Sequence, residues 1–212
     1  MEDKRNNQAI EAARDDLDRH AAPMLSVPKL ILASASPRRA EILRTVGWPF
    51  ETLAVDIDES RRAGEEAATY VERVGRAKAE SAALRVPGAT VLGADTVVVV
   101  NDEILGKPLD DEDARRMLRL LRDRWHQVLT GVALVNGETG SSKVAHEVTE
   151  VRFAEMNEDE ISWYVATGEP KDKAGAYAIQ GHGARFIKEI RGDYFNVVGL
   201  PVRLLYKLLN ES

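Results

Sequence analysis

The chain has 212 residues, 44% of them hydrophobic and 30% charged, with a formal net charge of −6, the composition of a water-soluble globular domain. That acidic balance argues against a general nucleic-acid or membrane-surface binder, which carries a basic excess, so a polyanionic ligand must find its positive charge concentrated in one cleft. Cysteine is absent, which excludes disulfides, thiolate metal sites and cysteine nucleophiles, and no segment has the apolar length that crosses a bilayer.

Residues 1–28 read as a charged, loosely held tail, followed by a single domain over 29–212. Met1 to His20 holds only Ile10 and Leu17 as large apolar side chains and has no signal-type apolar core. Leu30 to Ala33 is an apolar run that reads as a buried strand. Ser36 follows as an N-cap, Pro37 takes the first helical position, and Ala40 to Val46 continues the helix. A helix start presents unpaired N–H groups and the positive end of its dipole. Arg38 and Arg39 add forked donors suited to phosphate. An ordinary strand–turn–helix with solvated arginines fits the same letters.

Phe50 to Ile57 reads as a second strand, leading into the acidic residues Asp56, Asp58 and Glu59. Glu65 to Leu84 has helical periodicity, with Val71, Val74 and Ala82 on one stripe and Lys78 on the same stripe. A lysine there either snorkels to solvent or enters a polar cleft. Val91 to Val100 is a β-branched run expected of a strand buried on both faces. Asp95 in its middle is costly to bury unless paired or metal-bound; alternatively the strand begins only at Thr96.

Further along, Asp110 to Arg122 is a helix with acidic residues at its start. Gln127 to Val135 and Val144 to Phe153 form a hairpin around Asn136-Gly137. Asn157 and Glu160 cap a helix that runs through Ala166 and stops at Gly168. Glu169 to Gly183, rich in glycine with an aromatic, an amide and two lysines, suits a ligand-binding loop. Arg185 to Ile190 is a strand. Pro201 opens a last helix whose Leu204, Leu205, Leu208 and Leu209 are core or dimer contact. Alternating strands and helices of this kind predict an α/β domain with a mixed sheet.

The nucleotide motifs GxxxxGK[ST] and GxGxxG, the metalloprotease HExxH and the nucleophile elbow GxSxG are all missing. Carboxylates and cations remain. Glu59 and Asp95 suit a hard divalent ion, and Arg38, Arg39, Lys78 and Lys107 suit a phosphate chain. The matching chemistry is phosphoryl or nucleotidyl transfer to water.

Eight blocks in order, LASASPRRAEIL (32–43), DES (58–60), AKAES (77–81), VLGADTVV (91–98), ILGKP (104–108), HQVLTGVAL (126–134), TGEPKDKAGAYAIQGHGARFI (167–187) and GDYFNVVGLP (192–201), resemble the Maf family of nucleoside triphosphate pyrophosphatases. The resemblance implies a two-lobed α/β fold of the inosine-triphosphatase-like (Maf/Ham1) kind, with a central mixed sheet flanked by helices and a cleft between the lobes. It implies hydrolysis of a nucleoside triphosphate to the monophosphate and pyrophosphate with a divalent cation (Mg²⁺, Mn²⁺ or similar), in the cytoplasm, with no nucleic-acid or membrane partner and with a homodimer left open.

By the same resemblance, Asp95 is catalytic, Arg38, Thr96 and Gln180 sit at specificity positions, and Ser36, Arg39, Glu59, Lys78 and Lys107 match other cleft residues. AYAIQG (176–181) resembles the branch acting on dTTP and UTP, with modified pyrimidine triphosphates among the expected substrates. The 7-methyl-GTP branch and a non-enzymatic nucleotide-responsive regulator of division are the alternatives. One departure is Arg122-Asp123, where the family usually has Ser-Gly.

Overall fold

A computed structural model describes residues 28–211; the tail assigned to residues 1–28 lies, except for Pro28, outside them. Seven strands form one mixed sheet: β1 (Leu30–Leu32), β2 (Phe50–Thr52), β3 (Thr90–Val100), β4 (Glu103–Leu105), β5 (Trp125–Asn136), β6 (Ser142–Phe153) and β7 (Ile187–Arg191). The order is β2-β1-β3-β5-β6-β7, with β4 paired to β3 off this path. β1 is parallel to β2 and β3, and every other pairing is antiparallel.

The helices are α1 (Pro37–Thr45), α2 (Ala67–Ala83), α3 (Asp111–Leu121), α4 (Glu158–Ala166), α5 (Tyr194–Val198) and α6 (Val202–Asn210). Alternation along β3 sends odd and even residues to opposite faces. The odd face packs under α2, where Val91 meets Ala79 and Ala82, and Val97 meets Val71. The even face carries two separate cores. Leu92 and Ala94 join Leu30, Leu43, Leu200 and Leu205, whereas Val98 and Val100 join Leu118, Leu121, Phe153 and Ile161. These two cores are the two lobes, and the middle of β3 lies between them.

The cleft follows from strand pairing. β1 covers the edge of β3 at Thr90–Leu92, and β4 covers the same edge at Val98–Val100. Residues 93–97 have no strand partner on that edge among the described residues. Ligand sites form where neighbouring strands diverge in this way.

Three glycines let α2 lie directly on the sheet. A Cβ on Gly93 would fall 2.1 Å from the Gly75 carbonyl oxygen of α2, and one on Gly131 would fall 2.3 Å from the Val71 carbonyl. This contact is backbone against backbone, so only glycine permits it.

Several expectations need correction. The strand expected over Phe50–Ile57 ends at Thr52, because β1 itself ends at Leu32; the Leu53 amide makes the last bond, to Leu32 O. The chain then runs free as the segment bearing Glu59. The strand expected from Arg185 begins at Ile187, since residues 181–186 form a 3₁₀ turn. Helix α5 was not anticipated. It is short and starts on the Asp193 carboxylate, which accepts from the Phe195 and Asn196 amides. The leucine stripe of α6 packs into the first lobe's core. Asp123, in the departure from the family pattern, has φ +52°, a conformation glycine adopts without strain.

Candidate functional site

All nine residues singled out in the sequence line one cleft, about 290 Å³ in volume, at the lower end of the range for small-molecule sites. Ser36, Arg38 and Arg39 come from the start of α1, Glu59 from the β2–α2 segment, and Lys78 from α2. Asp95 and Thr96 come from β3, Lys107 from the segment after β4, and Gln180 from the loop after α4.

Lys78 does not snorkel. Its ammonium, 9% exposed as a residue, lies 2.8 Å from Asp95 Oδ1 and 3.1 Å from Glu59 Oε1. Asp95 is 8% exposed and stands inside β3, not in a turn before it. The segment carrying Glu59 is tied to α2: the Tyr70 hydroxyl donates to Glu59 O, and Arg73 donates to Ser60 O and pairs with Glu65. Burial, and then the charges of Asp95 and Glu59, push the Tyr70 hydroxyl up to about 12.

The two arginines have different jobs. Arg39 is buried and donates to Gly199 O (2.8 Å), Ala94 O (2.9 Å), Ser34 Oγ (3.1 Å) and Thr96 Oγ1 (3.0 Å). A guanidinium has five N–H donors, so at most one is left for a ligand. Arg39 thus clamps α1, β3 and the α5–α6 junction together next to Asp95, with at most one N–H for the phosphate expected of it. Burial lowers its pKa, opposed by Asp95, and it remains charged. Arg38 is more open. It makes only long contacts to Asp172, 3.4 Å to the carboxylate and 3.3 Å to the carbonyl. Desolvation lowers its pKa while Asp172 raises it.

Ser36 occupies the N-cap position in extended conformation, but its hydroxyl makes no capping bond. Instead its amide donates to Ser34 Oγ at 3.2 Å. The hydroxyl thus stays available in the cleft. Lys107 is exposed and forms no ion pair among the described residues.

Sequence reasoning missed Asp172 and Lys173, which face each other at the cleft wall; only the lysine content of their loop signalled them. With them the cleft holds five cations (Arg38, Arg39, Lys78, Lys107, Lys173) against Glu59, Asp95 and Asp172. It is net positive in a chain of charge −6, the arrangement that focuses an anionic ligand.

The Gln180 loop is braced from beneath. The Glu169 carboxylate accepts from Tyr164 Oη (2.7 Å) and from the amides of His182 (2.8 Å) and Gly183 (2.9 Å), and Tyr164 Oη in turn accepts from the Ala178 amide. Tyr177 Oη meets His126 Nε2 at 2.8 Å. Burial lowers His126 to about 3, so the ring is neutral.

Comparison with known proteins adds a family. Relatives named dTTP/UTP pyrophosphatase include one from Symbiobacterium thermophilum, 54% identical and spanning 86% of this chain and 93% of its own. Another, from Anaeromyxobacter dehalogenans, is 50% identical over 87% of this chain and 94% of its own. A third, from Syntrophus aciditrophicus, is 49% identical over 86% and 89%. Among solved structures, the Staphylococcus aureus Ham1 protein aligns with a TM-score of 0.49 at 17% identity, over 85% of this chain and 97% of that one. The profile of the family described as "Maf-like protein" matches residues 29–212, which include every residue lining the cleft. With relatives this close over most of their length, the chain belongs to the Maf-like protein family.

Proposed function

We propose that this protein hydrolyses dTTP and UTP to the monophosphate and pyrophosphate. The observation that carries the reading is the buried Asp95–Lys78 pair at the floor of a net-positive cleft, with the exposed Glu59 reaching Lys78 from the rim, in a chain whose relatives bear that activity in their names. The triphosphate lies with its phosphates on the α1 start, Arg38, Lys78 and Lys107. Asp95 orients a water and takes its proton as the water oxygen bonds to the α-phosphorus. The bond from that phosphorus to the bridging oxygen breaks, and pyrophosphate leaves.

Glu59 and Asp95 fit a hard divalent cation. They are oxygen donors whose carboxylates converge on one point, the Lys78 ammonium, and such ions bind through one or two carboxylates together with substrate phosphates. When bound, an ion such as Mg²⁺ or Mn²⁺ supplies charge neutralisation and a more acidic water. Lys78 holds the Asp95 carboxylate at 2.8 Å and adds its positive charge where the phosphates would lie. Arg39 holds the Ala94 carbonyl and with it the peptide leading into Asp95, which keeps the base aligned. We place this activity in the cytoplasm, where its substrates are made; among the described residues no helix is long and apolar enough to cross a membrane.

The test is pyrophosphate release measured over a panel of triphosphates with the parent protein and Asp95→Asn. The parent should favour dTTP and UTP. The variant should bind nucleotide normally and release pyrophosphate at about 10²-fold lower rate or less. Near-parental turnover by Asp95→Asn would overturn the assignment, and a flat response to every nucleotide would overturn the activity.

A further inference from the structure

Thr96, partly buried, opens a chain of hydroxyls that runs in one direction into the core. Thr130 is fully buried, and its hydroxyl lies 3.1 Å from the Asn196 carbonyl oxygen and 3.0 Å from Thr96 Oγ1. That carbonyl belongs to α5. The Gly199 and Leu200 amides both turn back to Phe195 O, and residue 201 is proline. The Thr130 hydroxyl is therefore the donor that satisfies Asn196 O, and a buried carbonyl needs one. A hydroxyl has a single proton, so Thr130 can only accept from Thr96. The proton of Thr96 is thereby spent on Thr130, and one of its lone pairs takes the Arg39 N–H. What Thr96 has left for a ligand is one lone pair.

We infer that Thr130 is a positioning residue for base selection: it fixes Thr96 as an acceptor, so the cleft selects a base edge that donates an N–H. This rests on the dTTP/UTP reading above. Asp95 and Thr96 are successive residues of β3 and point to opposite faces of the gap. The Asp95 side holds Glu59 and Lys78. The Thr96 side is shared with Ile179, Val197 and Gly199, an apolar setting suited to a planar ring. Uracil and thymine present carbonyl, N–H, carbonyl in sequence. Thr96 accepts from the N–H, and the Gln180 amide, which can donate, serves a neighbouring carbonyl. Cytosine presents a ring nitrogen with a lone pair at the same place, and two lone pairs face each other.

The experiment compares kcat/KM for UTP and CTP in the parent, Thr130→Val and Thr130→Ser. Valine has the same shape without the hydroxyl, which frees the Thr96 proton to rotate toward the ring nitrogen of cytosine. The ratio of UTP to CTP activity should fall about tenfold or more in Thr130→Val and stay parental in Thr130→Ser, as expected for one buried hydrogen bond. An unchanged ratio in Thr130→Val overturns the inference, even if both rates fall together. The parent alone gives an independent reading with 3-deaza-UTP, in which C–H replaces the ring N–H at nearly constant size and the adjacent C4 oxygen becomes a hydroxyl. Its kcat/KM should drop about tenfold or more relative to UTP; parity with UTP overturns the inference whether or not Thr130→Val folds. A parent inactive on UTP and dTTP refutes the activity itself, a result distinct from an active parent with an unaltered ratio.

Discussion

Replacing Gly93 with alanine adds a single methyl group, yet it should separate the two ends of the catalytic pair. The new Cβ would stand 2.1 Å from Gly75 O, 2.8 Å from the Ala79 amide nitrogen and 3.0 Å from Ala79 Cβ. The first two are backbone atoms of a regular helix and cannot rotate away. To restore ordinary contact, α2 must lift from the sheet by about 1 Å, at a cost of about 1–3 kcal/mol for overpacking. Ala79 is the residue after Lys78, so the lift carries the ammonium with it. A Lys78–Asp95 contact of 2.8 Å then stretches beyond hydrogen-bonding distance, and a misplacement of about 1 Å lowers turnover about 10²-fold.

The assay is pyrophosphate release from dTTP at a temperature where circular dichroism shows the variant folded, paired with urea unfolding. Gly106→Ala is the control for stability, because a Cβ there meets nothing within 4 Å. Parental turnover and parental stability in Gly93→Ala would refute the claim that the glycine seam sets the Lys78–Asp95 spacing. A loss of stability with normal turnover of the folded protein would refute its functional half.

Two further outcomes follow from the supports of the Gln180 loop. Burial lowers His126 to about 3, whereas the unfolded chain titrates near the ordinary value of about 6.5. The unfolded state therefore binds the extra proton between those values, and His126 should cost up to about 1.4 kcal/mol of stability per pH unit as pH falls through that window. Urea unfolding of the parent and of His126→Gln from pH 7 to 4 checks this; equal slopes would refute it. At Glu169, burial raises the carboxyl pKa, but the bonds from Tyr164 and the His182 and Gly183 amides outweigh it, for a net lowering. Its stabilisation is thus present above the unfolded value of about 4.3 and lost as pH falls through the lowered folded value. Glu169→Gln should destabilise by about 1 kcal/mol and raise KM for dTTP more than it lowers kcat, since the loop presenting Gln180 loosens. A KM that stays parental would count against that brace.

Much of the site was legible because its chemistry breaks local rules. Lys78 on an apolar stripe and Asp95 inside a β-branched run are costly unless something nearby repays them, and each turned out to be the other's partner. Pro37 after Ser36 marked the start of α1 for a similar reason, since proline tolerates few other positions. The illegible parts depend on partners distant in sequence. Nothing near Arg39 announces that Gly199 O will occupy its Nε, because 160 residues separate them, and a neighbouring arginine with the same local pattern stayed open to the cleft. The end of β2 at Thr52 was fixed by the length of β1 rather than by its own residues, whose alternation continues. Helix α5 is too brief to show periodicity and exists through the Asp193 cap and the polar contacts beneath it.

The sheet also decides how this cleft can work. β3, β5 and β6 are 11, 12 and 12 residues long and paired along most of their length, and all three run from one lobe into the other. Among the described residues these paired strands form the main connection between the lobes. Swinging them apart would require bending three strands together across their hydrogen bonds, so the slot between them keeps a width set by sheet twist. Fit to different nucleotides must then come from side chains at its mouth, chiefly Arg38, Lys107 and Gln180, and the enzyme behaves as a fixed gauge for its substrate rather than a closing hand.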